Sequence, residues 1–201
     1  MEAFDCSNYS GVISLEQAYE AYGQGYRKAI VQVIDPPAYY PVSVWRQQIP
    51  TLLAVGFEVE AYVYLYLRDN PSGRVQWVLN QIGMLNNNVN RVWLDVEDTD
   101  DSSISLEARQ YALWESVETV RRSGRTAGIY TAAWYWQQYF PGVTWLSYLP
   151  LWVAQYDGVK DLNVFNPFGG WSRAAMKQYV GTSGIWLPSQ PMINQVDLNV
   201  Y

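Results

Sequence analysis

The chain has 201 residues, 49% of them hydrophobic and 16% charged, with a formal net charge of −6. That is enough for one domain with a sizeable core, and too apolar for a disordered chain. No apolar run approaches the ~20 residues that cross a bilayer, and no basic stripe offers itself to nucleic-acid phosphates. Histidine is absent and Cys6 stands alone. Their counts remove histidine-dependent triads, His-ligated or Cys-rich zinc sites and any intrachain disulfide. Proton transfer near neutrality falls to Asp, Glu, Tyr and Lys. The 10 Trp and 17 Tyr promise a large aromatic core, with a minority left to line a groove, where flat faces with polar tips suit sugar rings.

In chain order, Glu2–Cys6 reads as a short strand. Ser14-Leu-Glu-Gln17 is a capping box that opens a helix. Ala29–Ile34 is a β-branched apolar run of the kind buried on both faces of a sheet, ended by Pro36-Pro37. A helix is expected over Val44–Val55, disturbed by Pro50 and stopped by Gly56. Val59–Leu67 is a strand. Asn70-Pro71 starts a helix whose apolar face is Val75, Val78, Leu79, Ile82 and Leu85. Arg91–Glu97 is the next strand, and Ser105 caps a long helix stopped by Gly124. Thr126–Thr131, Leu151–Gln155, Ala174–Tyr179 and Val196–Tyr201 complete the strands. This β-then-α order argues for an α/β fold with a parallel sheet. Some eight strands in so short a chain favour a single irregular TIM-like (β/α) barrel over an open sheet, one domain spanning 1–201 with fewer than eight regular helices. Neither Gly-x-Gly-x-x-Gly nor a phosphate loop occurs, and no cofactor or metal is expected.

The chemistry concentrates in Arg91-Val-Trp-Leu-Asp-Val-Glu-Asp98. Side chains alternate faces along a strand, so Trp93, Asp95 and Glu97 share one face and Val92, Leu94 and Val96 the other. The two acids would then point into the barrel about 7 Å apart along the strand, at its C-terminal end, where barrel enzymes carry their chemistry. Acids on an inward face are costly unless hydrogen-bonded or functional. Asp5 and Asp197 lie in the first and last strands, which become neighbours when a barrel closes. Closure would gather all four acids. Glycoside hydrolysis requires such a set: one carboxylic acid to protonate the leaving oxygen, and a carboxylate to stabilise charge at the sugar carbon. Crowding among carboxylates keeps one protonated near neutrality.

At these residues the sequence resembles glycoside hydrolase family 25, the Chalaropsis-type lysozymes. Phe4-Asp-Cys-Ser-Asn-Tyr-Ser-Gly11 looks like the family's opening strand and loop. Ala54-Val-Gly-Phe57 with Val59-Glu-Ala-Tyr-Val-Tyr64, Trp93-Leu-Asp-Val-Glu97, Gly128-Ile-Tyr-Thr131, Leu151-Trp-Val-Ala-Gln-Tyr156, Lys177-Gln-Tyr179 and Val196-Asp-Leu-Asn199 match later landmarks in order. The resemblance implies a muramidase cutting the β-1,4 bond between N-acetylmuramic acid and N-acetylglucosamine in peptidoglycan. It assigns Glu97 as general acid/base and Asp95 to the anomeric side, either in a covalent route or orienting the N-acetyl group as internal nucleophile. Asp5 and Asp197 would support the pocket, and Tyr62, Tyr130, Trp152 and Gln178 would contact substrate. Val63, Gln32 and Lys177 replace residues common in the family (His, Arg and Trp) and are expected around the pocket. The expected partner is a peptidoglycan glycan strand met by a monomer, without nucleic-acid binding or membrane insertion. Met1–Ser10 lacks the pattern of a secretory signal, which suits an extracellular or phage-associated lysin released at the bacterial wall. A non-catalytic wall-binding or phage structural module on the same barrel, or a hydrolase of another polysaccharide such as chitin, are the competing expectations.

Overall fold

The computed structural model describes residues 1–33, 43–85 and 88–201. Eight strands close into one barrel in chain order: β1 (Glu2–Cys6), β2 (Tyr26–Gln32), β3 (Glu58–Tyr64), β4 (Arg91–Asp95), β5 (Thr126–Ala132), β6 (Leu151–Ala154), β7 (Met176–Ile185) and β8 (Ile193–Val200). Among the described residues five α-helices surround it: α1 (Leu15–Gly23), α2 (Trp45–Val55), α3 (Pro71–Leu85), α4 (Leu106–Arg122) and α5 (Ala133–Tyr139). None is long and apolar enough to cross a membrane. The proposed stop of β2 at Pro36-Pro37 lies outside the described residues.

The expected helix signals act as their chemistry dictates. Ser14 Oγ accepts the Gln17 N–H at 3.1 Å while Gln17 Oε1 accepts the Ser14 N–H at 2.8 Å, so both halves of the capping box form. Ser105 Oγ accepts from the Ala108 N–H at 3.1 Å. Gly56 leaves α2 with φ 105°, a conformation other residues avoid. Pro50 sits inside α2 without ending it.

The sheet departs from the all-parallel expectation at one strand. β8 runs antiparallel to both β7 and β1. No helix intervenes between β7 and β8, so a direct hairpin reverses the chain, as a short connection must. Both strands also run longer than their sequence patterns indicated. Helix α5 carried no sequence signal, yet it buries Tyr135, Trp136 and Tyr139.

Alternation divides the core in two. Phe4, Ala29, Val31, Val59, Ala61, Val63, Val92, Leu94 and Ile129 face the helices, whereas Ala3, Ile30, Trp93, Tyr130, Trp152 and Met176 fill the barrel. Within the interior, Lys28 and Glu60 form a buried pair at 2.9 Å, and Trp93 Nε1 donates to the second Glu60 oxygen at 2.6 Å. Arg91 reaches the same carboxylate at 3.2 Å. A charge out of water demands such partners. Above this tier the rings of Trp93 and Trp152 pack with centroids 5.7 Å apart, and those of Tyr130 and Trp152 at 4.5 Å.

Gly128 pairs with Trp93 across β4 and β5, and a Cβ there would stand 2.4 Å from the indole ring. The Trp93 ring therefore occupies space that only glycine leaves open. Gly128→Ala should cost roughly 1–3 kcal/mol through overpacking, read as a lowered denaturant midpoint. An unchanged midpoint would mean that the ring yields freely.

Candidate active site

The mouth of the barrel at the C-terminal ends of β1 to β7 gathers the four acids. Pairing of β1 with β8 sets Asp5 opposite Asp197 and Ala3 opposite Asn199; opposed residues share a face, so both acids follow Ala3 into the barrel. On β4, Asp95 lies one pleat above Trp93 and is 4% exposed. Glu97 follows just beyond the strand end and is half-buried. Its flanks are fixed. The Val96 N–H donates to the Tyr130 carbonyl at 2.9 Å, Thr131 Oγ1 donates to the Val96 carbonyl at 2.8 Å, and Arg68 grips Asp98 at 2.7 Å. Glu97 thus projects from a backbone anchored on both sides.

The acids fall into two kinds. Asp5 and Asp197 are supplied with donors. The Gln178 Nε2 amide donates to Asp5 at 2.9 Å and to Asp197 at 2.8 Å. The Asn199 amide adds a bond to Asp5 at 2.8 Å, and the Thr182 N–H one to Asp197. Asp95 and Glu97 receive no donor among the described residues, and Asp95 Oδ1 is buried without a partner. Burial raises the proton affinity of all four. Neighbouring carboxylates add to this at three of them: Asp197 at Asp5, Glu97 and Asp5 at Asp95, and Asp197 at Glu97. The influences of β1, β4 and β8 on one another are those of groups sharing one site. Among the described residues no group of three His, Cys, Asp or Glu is arranged to hold a metal ion.

The four expected substrate contacts separate. Tyr62 is partly exposed and lines, with Asp5, Ser7, Tyr9, Thr182 and Asp197, a cavity of ≈170 Å³. Tyr130 is buried, its hydroxyl donating to Gln178 Oε1 at 2.7 Å. Gln178 is 2% exposed and accepts a second bond there from Tyr156 at 2.8 Å. Trp152 is 1% exposed and donates its Nε1–H to Asn199 Oδ1 at 2.7 Å. Its ring packs inside the barrel against Tyr62, Trp93 and Tyr130.

A family model described as Lysozyme-like protein 1 matches residues 3–179. A Dictyostelium discoideum protein named probable GH family 25 lysozyme 2 is 31% identical over 189 residues, covering 90% of this chain and 79% of its own. The chain belongs to glycoside hydrolase family 25. Two solved structures share its fold: a muramidase from Acremonium alcalophilum (TM-score 0.75, 17% identity, 100% of this chain and 93% of that one) and a lysozyme from Streptomyces coelicolor (TM-score 0.76, 15% identity, 100% and 91%).

Two of the three departures from the family 25 pattern lie away from the pocket. Val63 alternates with Tyr62 and packs outward against the helix layer. Lys177 alternates with Gln178, is wholly buried, and pairs with Asp157 at 2.8 Å behind β7. Burial works against the charge of Asp157, but bonds from Lys177, Val159 and Gln155 prevail and hold its carboxyl at about 2. Asn199, Tyr156 and Thr182 were not singled out from sequence. The first two stand in the quoted Val-Asp-Leu-Asn and Gln-Tyr motifs, whereas Thr182, at φ 50°, left no pattern.

The raised carboxylates fix the sign of a stability effect. An acid whose affinity for protons is higher folded than unfolded costs nothing while both states are protonated. It destabilises progressively as pH rises above the unfolded values, about 3.9 for Asp and 4.3 for Glu. Stability should therefore decline from pH ~4 toward neutrality. Asp95→Asn should flatten that decline and leave the protein more stable than the parent at neutral pH, as measured by urea unfolding across the range. A variant with the parent's slope would show that Asp95 carries no such penalty.

Proposed function

We propose that this protein is a lysozyme-type muramidase that hydrolyses the β-1,4 bond between N-acetylmuramic acid and N-acetylglucosamine in peptidoglycan. The observation that carries the reading is the pair Asp95 and Glu97, without a donor among the described residues, at the barrel mouth of a family 25 chain. A general acid must hold its proton at working pH and deliver it outward. Glu97 is half-buried just beyond the strand end, and burial and the nearby Asp197 raise its proton affinity, which favours both.

In this reading Glu97 protonates the glycosidic oxygen as the bond to the anomeric carbon breaks, then takes a proton from the incoming water. Asp95, deeper and unpaired, faces the anomeric side. It stabilises the developing positive charge and orients the N-acetyl group as internal nucleophile. Asp5 and Asp197 accept their donors within the pocket wall and supply negative potential to the oxocarbenium-like state. Tyr62, on the open cavity, contacts sugar. The site of action is the bacterial cell wall.

Clearing of bacterial wall suspensions tests the assignment. Glu97→Gln should lose at least about a hundredfold in rate, the usual order for a missing acid/base. Equal clearing by variant and parent would strip Glu97 of the role. Release of products from chitin oligomers alone, by mass spectrometry, would overturn the substrate.

A further inference from the structure

We propose that two buried amides, Asn199 and Gln178, are locked in one orientation and thereby decide which carboxylates of the site carry protons, with Trp152 acting as a positioning residue through Asn199.

An indole N–H can only donate. Its 2.7 Å bond to Asn199 therefore fixes Oδ1 toward Trp152 and turns Nδ2 toward Asp5. At Gln178 the carboxylates set the direction: ionised Asp5 and Asp197 can only accept, so they take Nε2 and leave Oε1 to the hydroxyls. Tyr130 and Tyr156 both direct hydroxyls at Oε1, and the two Nε2 hydrogens go to Asp5 and Asp197. An amide so held offers only donors, and a donor facing a carboxylate favours its ionised form. Among the described residues no donor reaches Asp95 or Glu97, so the amides favour ionisation at Asp5 and Asp197 over Asp95.

The groups that face Asp5 are Asn199 and Asp197 from β8, Gln178 from β7, Tyr62 from β3, Tyr156 from beyond β6, and Asp95 and Glu97 from β4 and its end. Of these only the two amides are neutral donors whose direction another residue sets. Burial still lifts Asp5 above the ordinary carboxylate range, with both amides acting against it. The observed geometry has each amide nitrogen on the carboxylates and each amide oxygen on a donor. Flipping Asn199 would set its oxygen against the Asp5 carboxylate and its NH2 against the Trp152 N–H, and flipping Gln178 would set its oxygen against Asp5 and Asp197.

Trp152 is 1% exposed, and a titration read without substrate separates positioning from contact. Carboxyl-carbon NMR titration of the full chain, without substrate, reads Asp5, Asp95, Glu97 and Asp197 individually. In the parent, Asp5 and Asp197 should titrate below Asp95. Trp152→Phe frees the Asn199 amide to turn, and Asn199→Leu removes it. Each should raise the Asp5 midpoint by about one pH unit, the size of one hydrogen bond to a charged group. If Trp152 acts only through Asn199, the double variant should match Asn199→Leu alone.

Each variant is read after its amide spectrum is shown to overlay the parent's. Tyr130→Phe with Tyr156→Phe gives an independent arm, releasing Gln178 and raising Asp5 or Asp197. An Asp5 midpoint unmoved by Trp152→Phe, additive shifts in the double variant, or a parent in which Asp95 titrates first would overturn the proposal. Because no substrate is present, its failure is distinct from failure of the muramidase reading, which wall clearing by the parent tests.

Discussion

The antiparallel pairing of β1 with β8 is the constraint on which the site depends. It joins the two ends of the chain and sets Asp5 directly across from Asp197. Had the last strand run parallel, as the others do, a different residue would oppose Asp5, and its side chain would enter the barrel at another height. A one-residue slip would be worse, because the period of two would turn Asp197 and Asn199 out toward the helices and bring Val196 and Leu198 inside. Closure also removes the free edges that an open sheet of this length would leave exposed.

Once the register is set, the rest follows from what buried charge requires. The interior is polar at two levels and aromatic between them. Below, Lys28, Glu60 and Arg91 neutralise one another with the Trp93 indole as a further donor. Above, four acids crowd together with no cation bonded to any of them among the described residues. That asymmetry has a physical meaning. The lower tier is charge-paired, with Arg91 Nε left unpartnered among the described residues, whereas the upper tier remains under-compensated, with proton affinities raised by burial and by mutual repulsion. Such unfavourable local arrangements persist where function maintains them. The aromatic layer of Trp93, Tyr130 and Trp152 separates the two, so that the lower cations do not quench the acids above.

Much of this was legible in the sequence wherever period-two alternation carries the information. Trp93-Leu-Asp-Val-Glu97 declares which side chains face inward, and the chain-terminal positions of Asp5 and Asp197 imply their meeting once a closed barrel is assumed. The capping box at Ser14 and the N-cap at Ser105 are equally local. Strand direction is different. The composition of Val196–Tyr201 suits either orientation, and only the hairpin from β7 settles it. The outward placement of Val63 and Lys177 was also readable, since each alternates with an inward neighbour, Tyr62 and Gln178. Their resemblance to pocket positions obscured that parity. Depth along the barrel axis was not readable. Whether Trp152 touches substrate or packs inside the barrel depends on strand stagger, a property of the closed sheet and not of any one segment.

The convergence of acids from β1, β4 and β8 is tested most directly by asking whether one feels another across the barrel. Carboxyl-carbon NMR would follow the titration of Glu97 in the parent and in Asp197→Asn, a substitution that removes a charge and little volume. Shared occupancy of one mouth requires the Glu97 midpoint to fall when the Asp197 charge is gone. A midpoint identical in the two proteins would place these residues too far apart to act together.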